Sequence, residues 1–303
     1  MKEALLWGLG FLLTLVVIPW VRRVSFNIGY LDQSEGDPLK IHGLPVPHSG
    51  GIAIFGVFGL LMILLTLTGQ VEGRLVAGLL VGGSVAFGLG VWDDLKPTTP
   101  GIRLAGAIMA GIVLILFGSR VEAPLLLSLP LTLFYVLGAI NAINLQDGLD
   151  GLAGGMVALS CLGFAFLSSS TGQTVMLTIS FLLGGVLLGF LFFNSSPASI
   201  FMGDSGSYFL GFVQAYLAIS FSNLQHWTNF LGPILIIGVP VLDTFFTILR
   251  RLKKGVSPFT GDRSHFYDFL VGKGLTVRQT VVISYGIQAV LISFGVGLYT
   301  SFH

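Results

Sequence analysis

Charged side chains are scarce in this sequence. Lys, Arg, Asp and Glu together make up 10% of the 303 residues, whereas ordinary globular chains contain about 25%. The formal net charge is only +1, which argues against a nucleic acid as the main partner. Hydrophobic residues reach 53% and the mean hydropathy is +0.90, so the composition excludes a soluble domain and indicates an integral membrane protein.

Cysteine is almost absent, and so are the marks of a cleaved leader. The one cysteine, Cys161, lies in an apolar run, so no intrachain disulfide can form and we expect the thiol to be buried by packing. The first apolar stretch begins almost at once and is followed by no small-residue cleavage site. The sequence therefore predicts a retained first span, not a signal peptide.

Long apolar runs are what the sequence has in abundance. A membrane-spanning helix needs about 20 mostly apolar residues, and ten runs approach that length. They predict an all-α, polytopic helical bundle of about ten spans in a single domain, 1–303, with Pro124 and Pro130 interrupting the fifth run. The runs are 4–21, 50–69, 75–92, 104–119, 124–142, 152–169, 174–193, 206–222, 229–249 and 280–300. Glycine is frequent (42 residues), and Gly185 with Gly189 forms a small-xxx-small pair that lets two helices pack closely.

Lysine and arginine divide the connections between these runs into two sets. All but three of the 15 basic residues lie in the set that does not include the termini. This set comprises 22–49, 93–103, 143–151, 194–205 and 250–279. The exceptions are Lys2, Arg74 and Arg120. By the positive-inside rule the basic set is cytoplasmic and both termini are outside, in a plasma or inner membrane. The three acids of the outer set, Glu3, Glu72 and Glu122, are scattered, and we expect them to be solvated.

Five aspartates stand at span ends on the predicted cytoplasmic side. They are Asp93, Asp94, Asp147, Asp150 and Asp204. An unpaired charge at the edge of the hydrocarbon is costly, so residues of this kind usually serve a function. Magnesium takes carboxylate and phosphate oxygens and is often shared between protein and substrate. The pattern favours a divalent cation and a phosphorylated substrate over the alternative of interfacial charges and helix caps, for which Asp204 is also well placed.

The basic loops supply groups that can hold phosphate. In the first inner loop, Lys40 and His42 precede two prolines and a glycine pair, and in the last one Arg263 and His265 follow Asp262. A guanidinium fork beside an imidazole suits recognition of a pyrophosphate. Asp243 lies inside the ninth run, where either a pairing with a neighbouring helix or a place in the site would explain it. The GDSG of residues 203–206 matches a serine-protease loop by chance, because a membrane-embedded chain cannot form that barrel.

The ordered motifs together resemble a known family. They are K-x-H-x-x-P-x-P-x-x-G-G from Lys40, a DD pair after the third run, N-x-x-N-x-x-D-G-x-D-G-L-A from Asn141, F-M-G-D-S-G-S around Asp204, and D-R-x-H ending at His265. This set is similar to the polyprenyl-phosphate N-acetylhexosamine-1-phosphate transferases (glycosyltransferase family 4). Within that superfamily it most resembles the bacterial undecaprenyl-phosphate GlcNAc-1-phosphate transferases and, more distantly, phospho-MurNAc-pentapeptide translocase. The chain departs from the pattern after His265, where Phe266, Tyr267 and Asp268 replace the histidines of many relatives.

The resemblance implies roles for the marked residues. Asp204 would be the leading metal ligand, and Asp93 and Asp94 would lie near the lipid phosphate and the metal. Asp147, Asp150, Asn144 and Asn194 would line the nucleotide and metal region, with the four aspartates 93, 94, 147 and 150 as the catalytic set. Phosphates would be contacted by Lys40, His42, Arg263 and His265. The implied cofactor is Mg²⁺, with Mn²⁺ as the alternative.

The implied reaction joins a UDP-N-acetylhexosamine to polyprenyl phosphate and releases UMP at a cytoplasm-facing site, the first membrane step of cell-envelope glycan synthesis. GlcNAc-1-phosphate is the expected group, with the pentapeptide translocase as the alternative. An ion-coupled transporter is the alternative from another functional class. It would place its acidic residues near the bilayer midplane, whereas the five span-end aspartates lie at one membrane face and only Asp243 lies inside a run. Direct in-line attack is the expected mechanism, with Asp93 or Asp94 orienting the acceptor, and a covalent aspartyl-phosphate intermediate is the alternative. The sequence leaves open whether the protein forms a homodimer.

Overall fold

The computed structural model of the protein describes residues 2–32, 45–257 and 265–301. Three of the predicted phosphate-binding residues, Lys40, His42 and Arg263, lie outside these ranges, and their roles stay predictions. The described helices are α1 Lys2–Ile28, α2 Gly50–Leu67, α3 Gly73–Leu95, α4 Pro100–Leu116, α5 Leu125–Gln146, α6 Leu152–Thr171, α7 Thr174–Asn194, α8 Gly203–Phe221, α9 Trp227–Ile237, α10 Val239–Lys253, α11 Phe266–Gly272 and α12 Val277–Thr300. Two short strands, β1 Leu31–Asp32 and β2 Val46–Pro47, pair antiparallel.

The all-α membrane fold is confirmed, and every predicted run contains a helix. Seven described helices are long and apolar enough to cross a membrane, namely α1, α2, α3, α5, α6, α7 and α12. The α4 helix is apolar but has only 17 residues. In the fifth run the helix starts directly after Pro124 and continues through Pro130.

The ninth run is not the single span that the sequence predicted. Its two halves, α9 and α10, are separate helices that meet at an angle of 95°. Gly238 between them adopts φ 70° and ψ −120°, a backbone conformation that residues with a Cβ avoid. Pro240 then begins α10 within its first two positions, where proline is tolerated because no helical N–H partner is lost. The apolar residues of the run continue across Gly238, so the sequence predicted one helix for residues 229–249.

Glycines set how closely the helices approach. A Cβ on Gly185 of α7 would collide with the Trp7 carbonyl of α1, and one on Gly189 would stand 2.8 Å from the Phe11 carbonyl. The predicted small-xxx-small contact is therefore confirmed, with α1 as the partner. At one end of the bundle, Gly51 of α2 and Gly90 of α3 similarly leave room only for the first turn of α8.

The loop before α8 is held against the start of α2. The N–H groups of Gly50 and Gly51 donate to the carbonyls of Phe201 and Met202 (2.9 and 2.8 Å), and the Phe201 N–H donates to Pro47 in β2 (2.7 Å). Glycines at 51 and 90 and these main-chain bonds place the first turn of α8 between α2 and α3. Asp204 lies in that turn, so the packing brings it to the ends of α3 and α5 where the other acids stand.

Candidate active site

Asp94, near the end of α3, caps the N-terminus of α8, a helix more than 100 residues further along the chain. Its Oδ1 accepts the Asp204 N–H (2.7 Å) and its Oδ2 accepts the Ser205 N–H (3.0 Å) and the Tyr30 hydroxyl (3.1 Å). These N–H groups have no partner inside a helix, and a carboxylate also interacts favourably with the positive end of the helix dipole. Gly203 has φ 74°, and a Cβ there would stand 3.0 Å from Asp94 Oδ2, so glycine is needed for this approach.

Asp93 is fully engaged by its neighbours. Its Oδ1 accepts from the Thr98 N–H (2.7 Å), the Thr98 hydroxyl (3.0 Å) and Arg103 Nη2 (3.1 Å). Its Oδ2 accepts from the Tyr208 hydroxyl (2.6 Å) and lies 2.7 Å from Arg103 Nε. Asp93 is 4% exposed, and these contacts tie the ends of α3, α4 and α8 together.

Asp204 and Asp147 keep oxygen atoms available. Asp204 Oδ1 accepts from Asn144 Nδ2 (2.7 Å), which also donates to Ser207 (3.1 Å), and its Oδ2 accepts no hydrogen bond from a residue that the structure describes. Asp147 directly follows α5, and its carboxylate accepts none from the described parts of the chain. Two predicted acids therefore have unused acceptor capacity, and Asp147 lies within electrostatic range of Asp204.

The electrostatics show that the acids converge. Burial, and then the charges of three neighbouring carboxylates, raise the pKa of Asp147 well above its ordinary value; the three belong to Asp204, Asp94 and Asp150. Carboxylates in one another's field favour a bound cation, because a cation removes their repulsion. Within residues 2–32, 45–257 and 265–301, no three His, Cys, Asp or Glu side chains stand close enough to hold a metal by themselves.

Asn194 and Asp150 join two loops beside these acids. The Asn194 side chain accepts the Gly151 N–H (3.0 Å) and donates to the Ile200 carbonyl (2.9 Å), while Asp150 Oδ2 accepts the Ala198 N–H (3.0 Å). Asn194 is 3% exposed and uses both ends of its amide for these contacts. It lies beside the predicted nucleotide region as a tether between loops, whereas Asp150 retains one oxygen that no described residue occupies.

Asp243 connects His265 to the end of α5. Its Oδ2 accepts from Gln146 Nε2 (2.8 Å) and lies 2.7 Å from His265 Nδ1, and its Oδ1 accepts the Phe266 N–H (2.8 Å). The pairing of Asp243 with a neighbouring helix is therefore confirmed, and Asp243 also contacts His265, a predicted site residue. The Tyr267 hydroxyl donates to the Leu145 carbonyl (3.3 Å), so α11 docks on the segment that carries Asn144 and Asp147.

A mostly apolar cavity of about 460 Å³ opens beside this contact. Val239, Leu242, Phe246, Phe266, Ile287 and Leu291 line it, together with the polar groups of Asp243, His265 and Arg250. Its walls come from α10, from the start of α11 with His265, and from α12. Beyond Gly238, α10 lies at 95° to α9.

Sequence reasoning missed several residues that build the site. Four side chains contact the predicted acids or Asp243 although no motif specifies them: Tyr30, Arg103, Tyr208 and Gln146, the last at an unspecified position of the motif from Asn141. Tyr208 is the one with a readable signal, because a tyrosine one turn after Asp204 shares its helix face. The others are 10 to 97 residues away in sequence from the carboxylates that they contact.

Comparison with known proteins gives one consistent result. Residues 76–222 match the family described as Glycosyl transferase family 4. A Bacillus subtilis (strain 168) protein named "Probable undecaprenyl-phosphate N-acetylglucosaminyl 1-phosphate transferase" is 33% identical over 288 residues, which cover 91% of this chain and 79% of that protein. The Escherichia coli (strain K12) "Undecaprenyl-phosphate alpha-N-acetylglucosaminyl 1-phosphate transferase" is 30% identical over 312 residues, covering 94% and 81%. The Mycobacterium tuberculosis (strain CDC 1551 / Oshkosh) "Decaprenyl-phosphate N-acetylglucosaminephosphotransferase" is 30% identical over 293 residues, covering 84% and 72%.

Proposed function

This chain belongs to glycosyl transferase family 4, and we propose that it transfers N-acetylglucosamine 1-phosphate from UDP-N-acetylglucosamine to undecaprenyl phosphate. With relatives this similar over most of both chains, it is a multi-pass membrane transferase that moves a phosphosugar onto a polyprenyl phosphate. Our proposal adds four points to this activity: the identity of the sugar, the UDP carrier, the length of the lipid and the cytoplasmic orientation of the site. The product would enter cell-envelope glycan synthesis.

The observation that carries this proposal is the pair Asp147 and Asp204. Both keep carboxylate oxygens that no described residue occupies, at the point where the ends of α3, α5 and α8 meet. Two anionic substrates must come together in this reaction, and acids alone would repel them. The site therefore requires cations, which the predicted Lys40 and Arg263 and a divalent metal would provide.

The donor set fits magnesium. Mg²⁺ is usually held by one or two carboxylates and completes its shell with water and substrate phosphates, so a cage of three acids is not required. We propose Asp204 Oδ2 and Asp147 as the metal ligands. Asp94, which caps α8 beside Asp204, is the alternative second ligand that the sequence predicted. When bound, the ion would neutralise charge on the phosphates and on the departing UMP.

The residues of the chain would position the reacting groups. The acceptor is a phosphate monoester whose second pKa is about 6, so near neutral pH it is largely dianionic and needs no strong base. One of its oxygens attacks the sugar-linked phosphorus of the UDP-sugar, and the bond from that phosphorus to the UMP oxygen breaks. Asp93, saturated by Thr98, Tyr208 and Arg103, holds the helix ends in place and leaves no oxygen for a proton. Because the dianionic acceptor is already a competent nucleophile, we favour direct in-line attack over a covalent aspartyl intermediate.

The apolar cavity beside His265 suits the isoprenyl chain. Its lining is dominated by aliphatic and aromatic side chains, while Asp243, Arg250 and His265 supply its polar groups. Asp243 holds His265 Nδ1, and no described residue bonds Nε2, which leaves that nitrogen for a phosphate oxygen. A lipid lying in this groove would present its phosphate toward the acid cluster.

The donor sugar is tested by offering two nucleotides separately. Purified full-length protein with undecaprenyl phosphate should release UMP from UDP-N-acetylglucosamine, and the Arg263→Ala variant should lose about tenfold or more of that rate, since hydrogen bonds to charged groups are worth roughly 1.5–3 kcal/mol. UDP-MurNAc-pentapeptide should give no UMP. The epimer UDP-GalNAc serves as the matched control for the orientation of a single hydroxyl. Release of UMP from the pentapeptide donor alone would assign the chain to the translocase alternative.

A further inference from the structure

A second cavity, of about 320 Å³, lies at the end of the bundle opposite the acids. Leu75 near the start of α3, Ser220 near the end of α8 and Tyr299 at the end of α12 line it. The same α3 and α8 carry Asp94 and Asp204 at their other ends. At about 1.5 Å per helical residue, this puts the cavity roughly 25 Å from the acid cluster. It is therefore separate from the proposed active site.

The cavity gathers charges that the sequence suggested were scattered. Arg120 and Glu122 both line it, and Glu122 lies within electrostatic range of Tyr299. At its edge, the Arg74 guanidinium lies over Gly118, 3.6 Å from where a Cβ would stand, and Glu72 lies within electrostatic range of Tyr216. Glu72 and Glu122 are exposed, as the sequence predicted. Glu122 and Arg120 nevertheless line one polar cavity, with Arg74 and Glu72 at its edge.

Tyr216 supplies an unused hydrogen-bonding group in this cavity. Its side chain is completely buried, and its hydroxyl makes no hydrogen bond to a described residue, although the Ser119 hydroxyl lies near it. A buried polar group without a partner costs roughly 1–3 kcal/mol, so natural proteins seldom keep one without a reason. Because Tyr216 is also a lining residue, a ligand oxygen in the cavity would satisfy it.

The walls of the cavity are built in advance. The Glu122 N–H donates to the Ser222 carbonyl (3.0 Å) and the Leu224 N–H donates back to the Glu122 carbonyl (3.1 Å). Val121, next in the same loop, is fixed through its N–H to Thr132 (3.0 Å) and through its carbonyl to Ser128 (2.6 Å). A cavity of this size with a few converging polar groups has the form of a preformed ligand site.

We propose that this cavity binds the headgroup of a zwitterionic phospholipid with a free amine, drawn from the leaflet opposite the acidic site. Arg120 would hold the phosphate, Glu122 the ammonium and Tyr216 a phosphate or ester oxygen. Around this end of the bundle, Leu116, Leu126 and Trp227 are largely exposed, which places the cavity where apolar surface meets water. Aromatic and aliphatic residues of this kind mark the interfacial level of a bilayer, so a lipid headgroup is the ligand within reach. The paired opposite charges match a zwitterion better than an anion.

The test measures retained lipid on the full-length protein. Native mass spectrometry after adding phosphatidylethanolamine, phosphatidylcholine or phosphatidylglycerol with identical acyl chains should show one phosphatidylethanolamine retained per chain. Its occupancy should exceed that of the other two lipids by about tenfold, since one charge-assisted hydrogen bond is worth about that factor. Phosphatidylcholine lacks the N–H donors, and phosphatidylglycerol lacks the positive charge.

Substitutions separate the roles of the three side chains. Arg120→Gln should lower retention of phosphatidylethanolamine about tenfold, Tyr216→Phe should lower it several-fold by removing only the hydroxyl, and Glu122→Gln should abolish the preference over phosphatidylglycerol. The matched control is Lys2→Gln, which removes a cation from the same end of the bundle outside the cavity. UMP release, measured on every variant, should stay at the wild-type level and reports correct folding.

Three outcomes would overturn the proposal. These are equal retention of the three lipids by the wild-type chain, unchanged retention in both Arg120→Gln and Tyr216→Phe, and stronger retention of phosphatidylglycerol, which would make the cavity an anionic-lipid site. None of them bears on the transferase activity, because that reaction is read from UMP release at the other end of the bundle.

Discussion

Single residues in the acid cluster differ in how much of their hydrogen-bonding capacity is already used. Asp93 is saturated by three neighbouring residues and Asp94 caps α8, whereas Asp204 and Asp147 keep free oxygens. The first pair stabilises the ends of the helices, and the second pair is available to a metal and to substrate. This division predicts that aspartates with the same sequence signal will respond differently to the same substitution.

We expect Asp204→Asn to lower the rate of UMP release by about a hundredfold or more without lowering the apparent melting temperature. The amide cannot supply the anionic ligand that magnesium prefers, while removing one charge relieves repulsion among the acids. The matched variant Asp93→Asn should instead lower the apparent melting temperature by several degrees, because Arg103 and Tyr208 lose a buried acceptor. Thermal unfolding and UMP release, each with magnesium and with excess chelator, measure both. Full activity of Asp204→Asn in chelator would contradict the metal site.

Among the helices, α9 and α10 meet at a bend that sets the direction of α10, which lines the apolar cavity beside His265. Gln288 of α12 holds the bend together, since its Oε1 accepts the Val239 N–H (2.8 Å) and its Nε2 donates to the Ile236 and Ile237 carbonyls (3.0 Å each). These are backbone groups that a broken helix leaves without partners. Asp243 follows in α10, so the position of His265 depends on the bend.

Gly238→Ala should therefore reduce both stability and transfer. Alanine at φ 70° and ψ −120° is strained by about 1–3 kcal/mol, and its Cβ would stand 2.5 Å from Gln288 Oε1. The control is Gly286→Ala in α12, where a Cβ meets no atom within 4 Å. We expect a lower apparent melting temperature and slower UMP release for Gly238→Ala only. Equal behaviour of the two variants would show that the bend does not need glycine.

Over the whole molecule, the two ends of the bundle have different chemistry. One end gathers the aspartates and most of the basic residues, and the other carries the small polar cavity between the helix ends. Because the long helices run from one end to the other, each connecting loop lies at one end only. The positive-inside rule assigns the acidic end to the cytoplasm, which remains a prediction.

Cysteine labelling tests that orientation. In a Cys161→Ala background, a cysteine replacing Ser257 should react with a membrane-impermeant maleimide only from the cytoplasmic side. A cysteine replacing Ser170, near the end of α6, should react only from outside. The Cys161→Ala parent alone is the control and should remain unlabelled. The reverse pattern would put the acid cluster outside and remove the cytoplasmic UDP-sugar as donor.

The class of protein followed from the sequence because its cause is local. Each span is a run of apolar residues whose length matches the hydrocarbon, so helices appear at all ten predicted places, and the aspartates stand at helix ends as their positions in the runs required. The close contact at Gly185 and Gly189 could also be predicted, because the spacing of small residues on one helix face is a property of the chain.

The use of each polar group was decided only by packing between distant segments. Asp94 meets the Ser205 N–H across 111 residues, and Gln146 meets Asp243 across 97, so no local pattern could divide the five aspartates into saturated and available ones. The bend at Gly238 depends on Gln288 of another helix, and the second cavity brings together polar side chains from three separate turns, such as Arg120, Gln173 and Asn223. Hydropathy determines which segments enter the membrane, whereas hydrogen bonds between helices determine which of their polar atoms stay free to bind.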